Sequence, residues 1–151
     1  MKIVVVSDSH GNREILDRIV QMHPKVDVFL HAGDSGLSRF EIAPYISVKG
    51  NCDYEDCFPL YLNIKTPYGK LYICHGNRLA TLTKEKMDEM GVKIFVFGHT
   101  HMKMAEKIDD CYIFNPGSTT LPRDSNVGSY LILDITTVSY THLTLPTTSR
   151  V

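Results

Sequence analysis

Seven side chains with metal-binding groups follow five short apolar runs of this chain. The runs are IVVV, VDVFL, YISV, KLYI and IFVF, and each is typical of a buried β-strand. Parallel strands end at one common edge of a sheet, and α/β proteins bind their ligands at that edge. We therefore expect the seven groups to meet there and to form a centre for two metal ions. These residues are Asp8 and His10 in SDSHG, Asp34 in HAGD, Asn51 in GNCD, His75 in CHG, and His99 with His101 in GHTH.

The spacing and chemistry of these residues suit two ions. Asp8 and His10 are residues i and i+2, about 6.6 Å apart on one side of an extended segment. His99 and His101 have the same spacing. Two ions about 3.5–4 Å apart require a bridging carboxylate, and Asp34 is predicted to be that bridge. Imidazoles suit Zn²⁺, Fe²⁺ or Ni²⁺, and oxygen ligands suit Mn²⁺ or Mg²⁺, so several divalent ions fit, with Mn²⁺ expected first.

Five glycines stand directly beside the proposed ligands. Glycine permits a positive φ and a close approach of the backbone, both of which tight ligand-binding turns require. A single glycine would indicate only a turn, whereas five beside ligands support one shared site. They are Gly11, Gly33, Gly50, Gly76 and Gly98.

The series DSHG, GD, GNCD, HG, GHTH and NPGS resembles the calcineurin-like metallophosphoesterases, in particular the small YfcE-like phosphodiesterases. The resemblance covers residues 1–135 and implies an α/β fold, a four-layer αββα sandwich with two central mixed sheets. It also implies which residues share each ion. One set is Asp8, His10, Asp34 and His101, and the other is Asp34, Asn51, His75 and His99.

The expected reaction is hydrolysis of a phosphodiester by a metal-dependent enzyme. A water that bridges two divalent ions is acidified to hydroxide near neutral pH and can attack phosphorus in line. The ions and Asn51 would neutralise the non-bridging oxygens, so charge stabilisation and positioning would supply the catalysis. Asp34, Asn51 and His75 are therefore the predicted catalytic residues, and a small phosphodiester is the predicted substrate.

The GNCD motif differs from that of many relatives. Cys52 occupies the position at which they carry a histidine in GNHD, and a thiol is a poor general acid. This difference favours diesters or good leaving groups as substrates. Asn51 and Cys52 are predicted to contact the substrate, and Asp53 to have an orienting role.

Four further residues have two interpretations each. Asn115 and Ser118 lie in the NPGS turn beside the site in relatives, so they either contact the substrate or support the ligands. Arg123 in LPRD either binds a phosphate oxygen or is an ordinary exposed loop residue. His31, just before the GD pair, either ligates an ion or supports the ligands from behind.

The remaining pattern predicts short elements around these motifs. Residues 12–22 carry apolar side chains at helical spacing and should form a helix that packs on a sheet. Thr83 is suited to cap a second helix that closes at Met90, and Gly91 is suited to end it. The other predicted elements are a short helix over Leu37–Ile42 that ends at Pro44, two strands within residues 60–75, and a hairpin over residues 103–114.

Length and composition indicate one compact domain. The chain has 151 residues, 43% of them hydrophobic, which is enough for a single substantial core. Its net charge is -1 without a long run of one sign, so we expect neither a nucleic-acid partner nor a membrane anchor. No signal peptide is visible and the four cysteines lack CxxC spacing, so free thiols and a cytoplasmic location are expected. Relatives often self-associate, which allows a homo-oligomer.

The carboxyl end does not match the resemblance. Residues 136–151 read TTVSYTHLTLPTTSRV, with six threonines and Arg150 as the only formal charge. We interpret residues 1–135 as the metallophosphoesterase domain and residues 136–151 as an atypical, non-native tail, whose deletion should leave the Tm nearly unchanged. The alternative is a threonine-rich edge strand through Val138 and Tyr140.

Two other functions fit the same fold. A retromer subunit shares the fold that the resemblance implies and uses its surface as a non-catalytic interaction scaffold. A scaffold does not need seven metal ligands with flanking glycines, so their completeness favours the enzyme. A metal-dependent nuclease of the superfamily would need a basic surface for a polyanion, and the sequence has no basic cluster.

Overall fold

The computed structural model describes residues 1–54, 57–78, 81–136 and 139–145, and the described residues form ten strands and two helices. Within them, no helix is long and apolar enough to cross a membrane. In chain order the elements are β1 (Lys2–Val6), α1 (Arg13–Met22), β2 (Val28–His31), β3 (Ile46–Ser47), β4 (Tyr61–Thr66), β5 (Gly69–Cys74), α2 (Lys84–Met90), β6 (Val92–Val96), β7 (Lys103–Ile108), β8 (Cys111–Pro116), β9 (Ser129–Asp134) and β10 (Ser139–Thr144).

The strands form two mixed sheets. The first has the order β10-β9-β1-β2-β3, in which β1, β2 and β3 are parallel, while β9 runs antiparallel to β1 and to β10. The second has the order β4-β5-β6-β8-β7, in which β5, β6 and β8 are parallel and β4 and β7 are antiparallel edge strands. Each sheet therefore has a parallel part whose strands all end at one edge.

Alternating side chains of the strands separate four layers. In β1, Ile3 and Val5 belong to the core between the sheets, whereas Val4 packs with α1 on the outer face. In β6, Ile94 belongs to the same central core, whereas Phe95 packs with α2 on the opposite outer face. The layers are thus α1, the first sheet, the second sheet and α2, which confirms the predicted αββα sandwich.

Both long helical predictions are confirmed, together with the caps predicted for α2. At the start of α1, the Ile15 N–H donates to the Asn12 side chain at 3.2 Å. At the start of α2, the Lys86 N–H donates to the Thr83 hydroxyl at 3.2 Å. Gly91 ends α2 in the left-handed conformation, with a φ of 69°.

The predicted strands are also present. Those predicted within residues 60–75 and 103–114 are the antiparallel pairs β4–β5 and β7–β8. The YISV run contributes only a two-residue strand, Ile46–Ser47. This short strand pairs in parallel with β2, so the GNCD loop that follows it starts at the same edge as the loop after β2.

The short helix predicted over Leu37–Ile42 is wrong, because residues 39–44 form turns. The Glu41 N–H donates to the Ser38 hydroxyl at 3.2 Å, and the Ser38 N–H donates to the Glu41 carboxylate at 3.0 Å. This reciprocal pair closes a single turn. A helix cannot continue from it, because Pro44 has no N–H to donate.

Residues 139–144 of the carboxyl-terminal tail form β10, which pairs with β9 along its whole length. The structure therefore agrees with the alternative prediction, a threonine-rich edge strand. The domain boundary at residue 135 and the non-native origin of the tail stay predictions. Val138 and residues 146–151 lie outside the described residues.

The tail strand packs against both sheets. Leu145 is buried in the cluster that includes α1. The ring of Tyr140 lies 5.0 Å from that of Phe114, centroid to centroid. His142 Nε2 lies 2.8 Å from the Asn115 carbonyl oxygen. These contacts indicate that the tail contributes to stability.

No disulfide joins the cysteines within the described residues. Cys52 and Cys57 are exposed, and Cys111 is buried. Burial raises the pKa of the half-buried Cys74 thiol to about 11, so it is neutral at physiological pH.

Deletion of the residues after Thr136 is expected to lower the Tm by several degrees, in contrast to the expectation from the sequence alone. The deletion exposes the edge of β9 and the surface that Leu145 covers. Burial of a leucine side chain stabilises a protein by about 1.5–3 kcal/mol. For a domain of this size, 1 kcal/mol shifts the Tm by about 2–4 °C. Calorimetry of the full chain, the truncated chain and Leu145→Ala measures the effect, and equal Tm values would contradict it.

Candidate metal centre

The seven predicted ligands lie at the carboxyl ends of parallel strands. The sequence predicts the edge of one sheet, and the structure shows that the edges of both sheets contribute. The two sheets are stacked face to face, so their ligand-bearing loops meet on one side of the sandwich. The ligands follow β1 (Asp8, His10), β2 (Asp34), β3 (Asn51), β5 (His75) and β6 (His99, His101).

Asp8, His10 and His101 form one group of candidate ligands. The Nε2 atoms of His10 and His101 lie 3.9 Å and 3.3 Å from Asp8 Oδ1. These two Nε2 atoms are 3.5 Å from each other. Three donor atoms are therefore close enough to surround a single ion.

Asp8, Asp34 and His75 form a second group, which shares Asp8 with the first. His75 Nε2 lies 3.3 Å from Asp34 Oδ2 and 3.8 Å from Asp8 Oδ1. His99 borders this group, because its Nδ1 lies 3.3 Å from His75 Nε2. The carboxylate common to both groups is thus Asp8. The sequence predicts Asp34 as the bridge, and that role stays a prediction.

One carboxylate oxygen of Asp8 is buried and has no hydrogen-bond partner among the described residues. The other, Oδ2, accepts from the Ser7 hydroxyl at 2.6 Å and from the His99 N–H at 3.0 Å. Oδ1 instead faces three imidazole nitrogens at 3.3–3.9 Å. A buried charged oxygen without a partner is costly, and a divalent cation is a partner that imidazoles and carboxylates share. The residues present therefore fit a divalent metal.

Five of the seven candidate ligands have a left-handed backbone. Their φ values are 53° for Asp8, 44° for His10, 58° for Asp34, 68° for His99 and 61° for His101. The prediction that the i and i+2 pairs are extended is therefore wrong. His99 and His101 consequently reach different groups of ligands. Each such conformation costs about 1–3 kcal/mol, and strain of this kind is concentrated at functional sites.

Close backbone approach explains two of the glycines beside the ligands. A Cβ on Gly50 would lie 2.1 Å from Asp34 Oδ1, and a Cβ on Gly98 would lie 2.8 Å from Asp8 Oδ2. A larger residue at either position would displace a carboxylate. The predicted association of these glycines with ligands therefore has a steric cause.

Backbone carbonyls orient two of the imidazoles. His75 Nδ1 lies 2.8 Å from the Ala32 carbonyl oxygen, and His101 Nδ1 lies 2.7 Å from that of Leu121. A carbonyl oxygen only accepts, so each Nδ1 carries the hydrogen and donates it. In the neutral ring, the lone pair of Nε2 is then available to a metal ion.

His31 supports the site from behind. It is fully buried, its Nδ1 accepts from the Gly33 N–H at 3.0 Å, and its Nε2 lies 2.8 Å from the Ser9 hydroxyl. Burial, assisted by the nearby His75, lowers the pKa of His31 to about 3, so the ring is neutral. Both ring nitrogens are occupied by these contacts, which favours the supporting role over ligation.

Asp53 joins the GD loop to the GNCD loop. Its carboxylate accepts from the N–H groups of Asp34 at 2.9 Å, Gly36 at 3.2 Å and Gly50 at 2.8 Å. The side chain is well buried, so these charge-assisted bonds are shielded from water. The orienting role predicted for Asp53 therefore has a structural basis.

Three of the predicted substrate residues are exposed beside the ligands: Asn51, Cys52 and Arg123. The Cys52 N–H donates to Asp34 Oδ1 at 2.8 Å, and the Asn51 amide lies 3.6 Å from Cys52 Sγ. Burial raises the pKa of the Cys52 thiol, and the nearby Asp34 adds to the shift, so the thiol stays neutral. The Arg123 N–H donates to the His101 carbonyl at 3.0 Å. Substrate contact by all three stays a prediction.

Asn115 and Ser118 lie beneath the ligand loops. The Ser118 hydroxyl donates to the Asp8 carbonyl at 2.8 Å. The Asn115 amide donates to the Gly98 carbonyl at 2.9 Å and to the Thr100 hydroxyl at 3.1 Å. Both residues are 0% exposed, which favours their supporting role, and direct substrate contact stays a prediction.

Several residues that position the ligands have no clear signal in the sequence. Ser7 contacts Asp8 through its hydroxyl, and its place directly before a ligand is a usable clue. Ala32 and Leu121 act through their carbonyl groups. Every residue has a carbonyl, so side-chain type cannot reveal this role.

Asp34 and His75 form a buried ion pair. Burial raises the pKa of Asp34, but the hydrogen bonds from His75 and from the Cys52 N–H outweigh it and hold the pKa at about 2. Burial lowers the pKa of His75, but Asp34 and Asp8 outweigh it and raise the pKa above 6.5. A proton and a metal ion therefore compete for His75.

The sequence is similar to those of known phosphoesterases. A family model described as a calcineurin-like phosphoesterase superfamily domain matches residues 1–138. The probable metallophosphoesterase YsnB of Bacillus subtilis is 34% identical over 143 residues, covering 89% of this chain and 85% of that protein. The phosphodiesterase YfcE of Escherichia coli K12 is 28% identical over 163 residues, covering 89% of this chain and 88% of that protein.

The fold is similar to those of solved structures. A predicted phosphoesterase from Streptococcus pneumoniae TIGR4 matches with a TM-score of 0.79 at 27% identity, covering 95% of this chain and 88% of that one. Vps29 from Entamoeba histolytica, solved with zinc, matches with a TM-score of 0.72 at 20% identity, covering 95% and 99%. At that identity, the likeness to Vps29 shows the fold alone.

Asp53→Ala is expected to lower the free energy of unfolding by about 2–4 kcal/mol, because three backbone N–H groups lose a charged acceptor. Urea unfolding of the metal-free protein measures this change. Asp27→Ala is the matched control, because Asp27 accepts a single exposed bond from the Lys2 N–H. The control should change stability by less than about 1 kcal/mol. Equal losses in the two variants would contradict the role of Asp53.

The affinity for Mn²⁺ is expected to fall by at least about tenfold per pH unit below the pKa of His75, because the ion must displace its proton. The contribution of His75 to the stability of the metal-free protein has the opposite trend. It is complete below pH 6.5 and is lost as the pH rises through the raised pKa. Calorimetric titration of Mn²⁺ between about pH 8 and pH 6 measures the affinity. A constant affinity over this range would refute the competition.

Proposed function

Since this chain belongs to the calcineurin-like phosphoesterase superfamily, we propose that it is a phosphodiesterase that uses two divalent metal ions. The observation that carries this proposal is Asp8 Oδ1, a buried carboxylate oxygen that faces three imidazole nitrogens without a hydrogen-bond partner. Two overlapping groups of candidate ligands around this oxygen support two ions rather than one.

The candidate ligands divide between two positions. Mn²⁺ is the first candidate, because imidazole nitrogens are combined with carboxylate and amide oxygens, and Ni²⁺, Fe²⁺, Zn²⁺ and Mg²⁺ are the alternatives. Asp34 is proposed to serve both positions. One ion would be held by Asp8, His10, Asp34 and His101, and the other by Asp34, Asn51, His75 and His99.

The residues of the chain would bind and orient the substrate. When bound, the two ions supply an acidified water as the nucleophile and neutralise charge on the phosphoryl oxygens. The carbonyl groups behind His75 and His101 keep both Nε2 atoms directed at the site. The exposed amide of Asn51 would donate to a phosphoryl oxygen and stabilise the charge that develops there.

A diester suits this site better than a monoester. Cys52 stands beside Asp34, and its thiol is neutral and a poor proton donor. A leaving group with a low pKa needs no proton from the protein. The net charge of -1 also gives no general attraction for a polyanion, so a small diester is favoured over a nucleic acid.

The proposed location of the protein is a reducing compartment of the cell. The described cysteines form no disulfide, which supports a reducing compartment, and we place the protein in the cytoplasm. Self-association of the chain stays a prediction.

The alternative function is a non-catalytic interaction scaffold with the same fold. The likeness to Vps29 supports only the fold. A scaffold gains nothing from five ligand residues in left-handed conformations, each of which costs about 1–3 kcal/mol. This strain favours a working metal centre.

Removal of metal followed by addition of Mn²⁺ tests the function with bis(p-nitrophenyl) phosphate as substrate. We expect turnover that depends on Mn²⁺. Phenyl phosphate, a monoester whose poorer leaving group needs a proton, should be hydrolysed at least about tenfold more slowly. Asp34→Ala should abolish turnover and lose both ions, which mass spectrometry counts. Asn51→Ala should lower kcat by about 100-fold and leave the Tm unchanged.

A comparison of Asp8→Ala with Asp34→Ala tests which of the two carboxylates bridges the ions. If Asp8→Ala loses both ions while Asp34→Ala keeps one, Asp8 is the bridge and the assignment of Asp34 is wrong. If the native chain binds two Mn²⁺ ions and hydrolyses neither ester, the scaffold function is favoured.

A further inference from the structure

An open pocket of about 380 Å³ lies beside the metal centre, on the outer face of the second sheet. The helix α2 has only seven residues and packs on β6, and residues of β4 and β5 line the pocket beside it. His75, a candidate metal ligand, lines this pocket. A second cavity of about 310 Å³ reaches Asn51 and shares four residues with the first. The shared residues are Lys49, Leu60, Asn77 and Arg78.

Aromatic rings form one wall of the pocket. Tyr61 and Tyr72 are stacked, with centroids 5.3 Å apart and planes 20° from parallel. Tyr72 also packs on Phe95, at 5.1 Å between centroids. Tyr61 is 53% exposed, so its ring is accessible from solvent. A planar ring of a ligand can stack on such a surface.

Positive charges surround this aromatic wall. Lys49 and Arg78 lie on the side of Asn51, and Lys86 lies on α2. Among the described residues that line the pocket, none is acidic. A concave site lined by charges of one sign attracts ligands of the opposite sign. The pocket therefore combines a stacking surface with attraction for an anion.

We infer that this pocket binds one ester group of the substrate, and that this group carries an aromatic ring and a second phosphate, as a nucleotide does. His75 belongs to both the pocket and the metal centre, so one molecule can place its diester at the metals and its ring against Tyr61. A volume of about 380 Å³ lies within the range of small-molecule sites. The inference rests on the proposed function, because it names the substrate class of that same site.

Two diesters with the same leaving group test the inference. They are methyl p-nitrophenyl phosphate and thymidine 5′-phosphate 3′-(p-nitrophenyl phosphate). In both, the water oxygen bonds to phosphorus, the bond to p-nitrophenolate breaks, and the proton of the water passes to the solvent. With Mn²⁺ bound, kcat/KM should be at least about tenfold higher for the nucleotide diester, since stacking of one base contributes that much.

Variants of the pocket should change this ratio of kcat/KM values. Tyr61→Ala should reduce it by about tenfold, and Tyr61→Phe, which keeps the ring, should retain it. Arg78→Gln should reduce it by about threefold, because an exposed cation contributes less than the ring. Phe40→Ala is the matched control, because Phe40 is 78% exposed and does not line the pocket. The control should keep the native ratio.

These measurements distinguish failure of the pocket inference from failure of the proposed phosphodiesterase function. Equal kcat/KM values for the two diesters in the native protein would overturn the inference and leave the phosphodiesterase function intact. If neither diester is hydrolysed, the proposed function fails, and binding of thymidine 3′,5′-bisphosphate decides the inference. Calorimetric binding that Tyr61→Ala weakens by about tenfold supports the pocket. Absent binding, or binding that Tyr61→Ala leaves unchanged, overturns it.

Discussion

A buried carboxylate oxygen without a hydrogen-bond partner is the constraint on which this structure depends. Asp8 Oδ1 lies at the edge of the sandwich, close to imidazole nitrogens from three separate loops. An uncompensated buried charge destabilises a protein by several kcal/mol. The fold tolerates it because apolar side chains from both sheets form one central core directly beneath the loops. A divalent cation would convert this unfavourable charge into a binding site.

The loops that carry the ligands are strained and firmly held. Left-handed backbone at Asp8, His10 and Asp34 lets short loops present several ligands, at a cost in free energy. Hydrogen bonds from the layer below compensate: Asp53 binds three N–H groups, and Ser118 holds the carbonyl of Asp8. Donors that are fixed before the ion arrives lose little entropy on binding. The strained backbone and the hydrogen bonds that hold it therefore occur in the same loops.

The metal centre and the pocket beside it arise from different parts of the fold. The candidate metal ligands depend on the parallel strands, which end at one edge of each sheet. The pocket depends on the shortness of α2 and on single residues such as Tyr61 and Arg78. The candidate ligands thus depend on the sheet topology, and the proposed substrate preference depends on the side chains around it.

Residue types and their order by themselves predicted the candidate ligands, the caps of α2 and the hairpins, because each prediction depends on neighbours within a few positions. Only the tertiary structure decided that both sheets contribute ligands, that Asp8 is common to both groups, and that His99 and His101 diverge. It also decided the single turn after Leu37 and the strand formed by the tail. Contacts such as the bond from the His99 N–H to Asp8 Oδ2 join residues 91 positions apart. Local patterns cannot specify such contacts, because they form only when both sheets have packed.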